Sequence, residues 1–177
     1  MSQTTLEIPQ GVPSDGTVRV DFIPAGGIAA EGLAATLAEV DGATAEMIGC
    51  HMFGIGMGAN TERKEKRRLC SKYKYELLGA TTYTIDALQY IYDVQNDGSE
   101  ANRAYEALSS DGDASGYLVV RWGMDAAEPL AEGQIVDIFA VRLGVQVKMA
   151  PEENDELQVT QEVVVQNQRI DYVLPAA

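Results

Sequence analysis

The chain has 177 residues, with 13 Lys and Arg against 27 Asp and Glu, a formal net charge of -14 and a sequence pI near 4.3. That length fits one domain, 1–177, with a real core, and 46% hydrophobic against 23% charged residues is the balance of a folded chain, not a disordered one. The charge excludes an overall basic nucleic-acid binder, the two cysteines exclude a disulfide-stapled scaffold, and no apolar run has the length of a membrane span or the form of a signal peptide.

Residues 1–13 are polar, with Pro9, Gly11 and Pro13, and read as an extended arm that reaches the first strand at about residue 16. Residues 17–23 alternate Val18, Val20 and Phe22 against Arg19 and Asp21, the period-2 pattern of a half-buried strand, which Pro24 and Gly26-Gly27 end. Residues 29–40 are rich in Ala and Leu and favour a short helix or turn, interrupted by Gly32 and stopped by Asp41-Gly42. Residues 45–53 predict an apolar strand, and Gly54, Gly56 and Gly58 make the next stretch flexible.

That stretch leads into the most unusual segment. Between Asn60 and Tyr75 seven basic residues (Arg63, Lys64, Lys66, Arg67, Arg68, Lys72, Lys74) stand against two acidic ones (Glu62, Glu65), a balance of +5 that leaves -19 on the rest of the chain. In an isolated monomer such a run reads as a solvated loop. Residues 81–93 predict a strand dense in Thr, Tyr and Ile, with Tyr83, Ile85 and Ala87 on one face. The apolar phase then slips by one to Leu88, Tyr90 and Tyr92, which predicts a bend or a change of sheet.

Ser99 is placed to cap a helix whose apolar stripe is Ala101, Tyr105 and Leu108, with Glu100 in its first turn. After a polar turn, residues 117–122 form a nearly continuous apolar strand, expected to be buried on both faces. Residues 134–148 are strand again, ending with Leu143, Val145 and Val147 alternating against Gly144, Gln146 and Lys148. A strand over about 157–166 and a closing segment at 170–174 make up a C-terminal strand or arm, about 157–177. Strands predominate without βαβ alternation, so the expected class is a mainly β antiparallel sandwich or barrel with one short flanking helix and a long loop.

Candidate chemistry is sparse. His51 is the sole histidine, and Cys50 beside it in a strand would point to the opposite face, a poor nucleophile and base pair. One His and two Cys twenty positions apart lack zinc spacing, and reduced, inert thiols are the expectation for Cys50 and Cys70. Asp111-Gly112-Asp113 opens like a calcium loop, but Gly116 and Trp122 occupy the sixth and twelfth positions, where only the Gly suits and the closing Glu is missing. No Gly-Lys-Ser/Thr triplet follows the glycines at 54–58, and acidic pairs such as Glu152-Glu153 and Asp155-Glu156 read as solvated surface. No catalytic, cofactor or metal site is expected.

Arg68-Leu69-Cys70-Ser71, the strand TTYTIDALQYIYDVQ, the segment GSEANRAYEAL and the segment GYLVVRWGMDAAEPLAEGQIVDIFAVRLG, in that order, resemble the major tail proteins of long flexible-tailed bacteriophages, above all those of actinobacterial phages. The likeness covers roughly residues 67–144. It implies a β-sandwich with a flanking helix whose copies form six-fold rings, and rings that stack into a hollow tube conducting DNA from capsid to host. It further implies a virion location after assembly in the host cytoplasm, with tape measure, tail terminator and baseplate or tip proteins as partners, no cofactor, and DNA passing without specific binding. In this family a long loop between early strands mediates ring stacking, which places a stacking loop at about 54–68 with Arg63, Lys64, Lys66, Arg67 and Arg68 meeting carboxylates of a neighbouring ring. Two other readings stand beside it: a monomeric antiparallel barrel whose Tyr83, Tyr90, Tyr92 and Trp122 line a small-ligand cavity, and a capsid decoration protein.

Overall fold

The structure, a computed structural model, describes residues 11–93, 95–96, 98–109, 114–151, 153 and 155–175. Its strands are β1 (Val18–Pro24), β2 (Glu46–Met47), β3 (Met52–Gly54), β4 (Met57–Arg67), β5 (Lys74–Ile85), β6 (Leu88–Ile91), β7 (Ala114–Trp122), β8 (Ile135–Lys148) and β9 (Gln158–Val173). Two short α-helices, α1 (Leu37–Val40) and α2 (Arg103–Ala107), and three 3-10 turns complete the regular elements among the described residues. Seven strands form one sheet in the order β2-β1-β7-β8-β9-β6-β3, while β4 and β5 pair only with each other. Every pairing is antiparallel, and the mainly β class expected from the alternating segments is the class observed.

Chain connectivity shows that the sheet must curl. Its edge strands β2 and β3 are consecutive in sequence, joined by residues 48–51. In a flat sheet the edges would be about 29 Å apart, six strand spacings, but the linker spans at most about 18 Å. The sheet therefore rolls into a half-barrel, and the linker closes across the gap against β1. There the Ile48 N–H donates to the Val20 carbonyl at 2.9 Å, and the backbone of Gly49 lies so close to Val20 that a Cβ would stand 3.0 Å from its nitrogen. This crossing is why residues 45–53, expected as one strand, are instead two short edge strands around a 3-10 turn, Gly49–His51.

The inner face of the curl is the main core: Val20, Phe22, Leu118, Val120, Phe139, Val141, Leu143, Val159, Leu88 and Tyr90, closed by Ala104 and Leu108 from α2 and its C-terminus. The outer face is buried over part of its area by a second cluster, where Ile23, Val119, Val136 and Ile138 meet Ile28, Leu33, Ala35, Val40, Leu130 and Leu174. The continuous apolar run in β7 follows from this double burial: Leu118 and Val120 face inward while Val119 faces the second cluster. The Ala-rich stretch supplies its cover as a 3-10 turn (Glu31–Leu33) followed by α1, capped by Thr36 and Glu39 in a reciprocal box. Arg121, 1% exposed, ties down the other covering loop by donating to the Pro129 carbonyl (3.1 Å), the Gln134 Oε1 (3.1 Å) and the Asp125 carbonyl (2.5 Å).

Four further sequence expectations are adjusted. The one-residue slip predicted near residue 87 is a change of sheet, since β5 ends at Ile85, Asp86 and Ala87 turn, and β6 joins the large sheet. The alternation at the end of β8 does not keep one face: register shifts between Leu143 and Gln146, so Leu143 is buried while Val145 and Val147 are exposed. Gln146 turns inward instead. Ser99 makes no side-chain cap bond, because the helix begins with a 3-10 turn (Glu100–Asn102) and Glu106 takes the capping role, accepting from the Gly98 N–H and the Asn102 amide. The two C-terminal segments are one strand, β9, carrying a bulge against β8 between Ile138 and Val136. The calcium-like run at 111–113 and the first ten residues of the N-terminal arm lie outside the described residues.

Candidate assembly surfaces

The segment expected as a loop at 54–68 is β4, one leg of a long hairpin with β5, and so the five basic residues are held on a regular frame or at its tip. The base of the hairpin is anchored: Ile85 is buried in the main core, with Ile55 and Met57 packed against it. Beyond that base, residues 62–80 are exposed apart from half-buried Ser71. Across the hairpin, Thr61 and Thr81 share a hydroxyl hydrogen bond at 2.8 Å.

Register decides what each side of the arm displays. A bulge falls between Thr61 and Arg63, after which Arg63 opposes Leu78, Lys64 opposes Leu77, Glu65 opposes Glu76, Lys66 opposes Tyr75 and Arg67 opposes Lys74. Because side chains alternate along a strand and opposed residues share a side, one face carries Arg63, Glu65, Arg67, Lys74, Glu76 and Leu78. The other carries Lys64, Lys66, Tyr75 and Leu77. The first face pairs both of its acids, with Lys74 Nζ 2.7 Å from Glu65 and Arg63 3.8 Å from Glu76, and keeps Arg67 as a cation in excess. The second has one acid, Glu62, toward its base beside Gly79, and Arg68 adds a third cation to it by lying 5.6 Å from the centre of the Tyr75 ring.

The five residues are thus brought onto one arm but not into one surface. Arg63 is paired within the hairpin, Arg67 donates to the Ser71 carbonyl at 3.2 Å and shapes the tip, and Lys64, Lys66 and Arg68 define the cationic face. Tyr75, Leu77 and Glu76 belong to this arm and were missed by the sequence reading, which began the strand at residue 81. Gly79 and the mixed charges hid it; the alternation of Tyr75 and Leu77 was the available signal.

Other candidates do not converge. Cys50 and Cys70 are free and exposed, on the edge-crossing turn and at the hairpin tip. His51 sits in the 3-10 turn, not in a strand; it is buried, with Nε2 3.8 Å from Glu100, while Cys50 faces solvent. The four aromatics of the ligand-barrel reading share no cavity. Tyr83 is on the hairpin, Tyr92 stacks at 5.7 Å from Tyr105, and Trp122 donates to Asp137 at 2.9 Å on the outside. Tyr90 fills the barrel interior, where its hydroxyl meets Gln161 Oε1 at 2.9 Å and Gln146 Nε2 at 2.8 Å, and burial pushes its pKa up to about 12. A shallow groove of about 380 Å³ lies where β3 approaches β1, lined by Val18, Met52, Phe53, Ile55 and Trp122.

Comparison with known proteins agrees with this architecture. None of the curated proteins matches the chain. Among solved structures, a chain of the 6-fold symmetrised cryo-EM structure of the anti-feeding prophage baseplate is similar in fold, with a TM-score of 0.50 at 11% identity over 93% of this chain and 96% of that one. The sequence profile of a family described as phage tail tube protein matches residues 5–177. A match over nearly the whole length, on a curled antiparallel sheet with a projecting arm, makes this chain a member of the phage tail tube protein family and a structural component of the phage tail.

Proposed function

We propose that the protein is the tube-forming subunit of a long flexible-tailed phage, of the kind that infects actinobacteria, and that six copies close into a ring whose successive rings stack into a hollow conduit for DNA. The observation that carries this reading is the β4–β5 hairpin, whose nineteen residues 62–80, past its anchored base, are exposed apart from half-buried Ser71. An arm of that kind is stabilised by what it meets in an assembly. The sheet's edges favour the same reading. β2 and β3 have two and three residues and leave unpaired backbone groups that a neighbouring copy in a ring would cover. The six-fold symmetry of the baseplate that contains the similar fold supports the ring number.

In such a tube the subunit works by shape and charge, not by chemistry. Outside residues 57–85, where seven basic residues stand against Glu62, Glu65 and Glu76 for +4, the remaining chain carries -18 of the total -14. Carboxylates of that body facing the channel would hold DNA phosphates off the wall and let them slide. Tape measure, tail terminator and baseplate or tip proteins are the partners at the tube's core and ends, with assembly in the host cytoplasm. Sedimentation velocity with negative-stain microscopy of the purified chain tests the reading: rings and tubes support it, and a monomer at every concentration contradicts it.

A further inference from the structure

The curl of the sheet leaves a seam beside β1. Strand β7 pairs with β1 along Val18–Pro24, but β2 covers the other side of β1 only at Asp21 and Phe22. Alternation along an antiparallel strand shows which groups this leaves. The Thr17 carbonyl accepts from the Gly123 N–H on the β7 side, and the Val20 carbonyl accepts from the Ile48 N–H on the other. Val18, two residues before Val20, therefore turns its N–H and C=O to the uncovered side, where no strand among the described residues pairs with it. The groove of about 380 Å³ lies in this seam, between Val18 and Val20 of β1 and Met52, Phe53 and Gly54 of β3. Its aromatic lining is half open to water, with Phe53 49% and Trp122 46% exposed.

The chain outside the described residues starts within reach of this groove. A turn over residues 14–17, with the Thr17 N–H on the Ser14 carbonyl at 3.3 Å and Gly16 at φ 71°, reverses the chain at the head of β1. Ser14, Asp15 and Gly16 line the groove, and residues 1–10 join at Gly11, three residues earlier. Ile8 is six residues from Ser14, a span of at most about 20 Å. Leu6 and Ile8 stand two apart, on one side of an extended chain, with Thr5 and Glu7 on the other. The family profile starts at residue 5, so this stretch belongs to the matched unit.

We infer that residues 5–8 lie in the seam of their own subunit, with Leu6 and Ile8 against Phe53 and Trp122 and their backbone beside Val18. The short tether selects the subunit's own segment: held a few residues from its site, it is present there at millimolar effective concentration, ahead of the same segment from a second copy. Docking takes apolar surface of both partners out of water, and an extended segment beside Val18 covers a strand edge that is otherwise open. The N-terminal arm thereby narrows the gap in the half-barrel. This holds for a single copy and does not depend on the tube reading.

Trp122, the one tryptophan of the chain, reports the docking in the full-length protein. Acrylamide quenching of its emission is measured at a concentration where sedimentation shows single copies, with circular dichroism to follow folding. Leu6→Asp with Ile8→Asp should raise the quenching constant at least about twofold by uncovering the indole. Glu7→Lys, on the other side of the segment, should quench as the wild type does. Equal quenching of the wild type and the Leu6→Asp/Ile8→Asp chain, or an equal rise with Glu7→Lys, overturns the inference. A disulfide identifies whose segment docks. In a chain with Cys50→Ser and Cys70→Ser, Ile8→Cys with Phe53→Cys should be oxidised by glutathione disulfide to a crosslink within one chain, a monomer of altered mobility on a non-reducing denaturing gel. Crosslinked dimers, which mean that a second copy supplies the segment, overturn the inference, as does a folded chain without any crosslink. Should the Leu6→Asp/Ile8→Asp chain not fold, the wild type decides: quenching close to that of free N-acetyltryptophanamide means an uncovered indole and overturns the inference. A purified chain that never forms rings overturns the tube reading alone.

Discussion

At Tyr90 and Gln161 the barrel interior depends on a small polar network whose every member has a partner. Gln161, 1% exposed, donates to the Leu108 carbonyl at 3.1 Å and the Gly144 carbonyl at 2.8 Å while accepting from the Tyr90 hydroxyl, and Gln146 links that hydroxyl to the Tyr105 carbonyl. The network ties α2 and the bulged end of β8 to β9. Tyr90→Phe leaves Gln161 Oε1 without a donor in the core, and should cost about 1 to 2 kcal/mol in urea unfolding near neutral pH. The pH dependence has a defined sign. The Tyr90 hydroxyl titrates near 10 when unfolded and near 12 when folded, so its stabilisation is complete below pH 10 and is lost as pH rises. The wild type should therefore lose about 2 kcal/mol relative to Tyr90→Phe by pH 12. An unchanged gap between the two proteins from pH 9 to 12 would contradict the buried hydroxyl.

At the scale of elements, the Phe22 ring of β1 packs over Gly116 of β7, where a Cβ would clash with that ring and stand 2.7 Å from the Ile23 carbonyl. Gly116→Ala should destabilise by about 1 to 3 kcal/mol through this overpacking, measured by urea unfolding, whereas the hairpin arm should be dispensable for folding. Joining Thr61 to Thr81 by Asn-Gly, in place of residues 62–80, keeps the anchored base and closes the opposed pair with a favourable turn. The shortened chain should melt within about 3 °C of the wild type and form no tubes, as scanning calorimetry and microscopy would show.

These elements also mark what pattern alone can reveal. β1, β7 and the switch between β5 and β6 were legible because alternation, double burial and a phase slip each leave a direct trace in the order of Val20, Phe22, Leu118 and Leu88. The hairpin was legible as a basic segment but not as strands. Its stability comes from cross-strand pairing between residues far from any core, which leaves no apolar periodicity at Arg63 to Arg67. The crossing at Ile48 to His51 was hidden for another reason: its shape is imposed by the closure of the sheet, a long-range constraint. Register shifts at Leu143 and at Thr61 were likewise decided by partner strands, and they set which residues of the paired strands stand opposite one another.

For the whole molecule, the curled sheet gives a body with short edge strands, and the exposed hairpin gives it an arm. Neither the acidic body nor the basic arm has a counterpart within a single copy that uses all of its charge. In the tube proposed above, self-assembly would supply one, with the sum over a ring turning weak pairs into a stable stack. Cryo-electron microscopy of the purified, assembled protein tests this most directly. The account predicts a hollow tube of six-fold rings in which every β4–β5 hairpin crosses to the adjacent ring. Closed oligomers without a channel, or hairpins folded back on their own subunit, would contradict it.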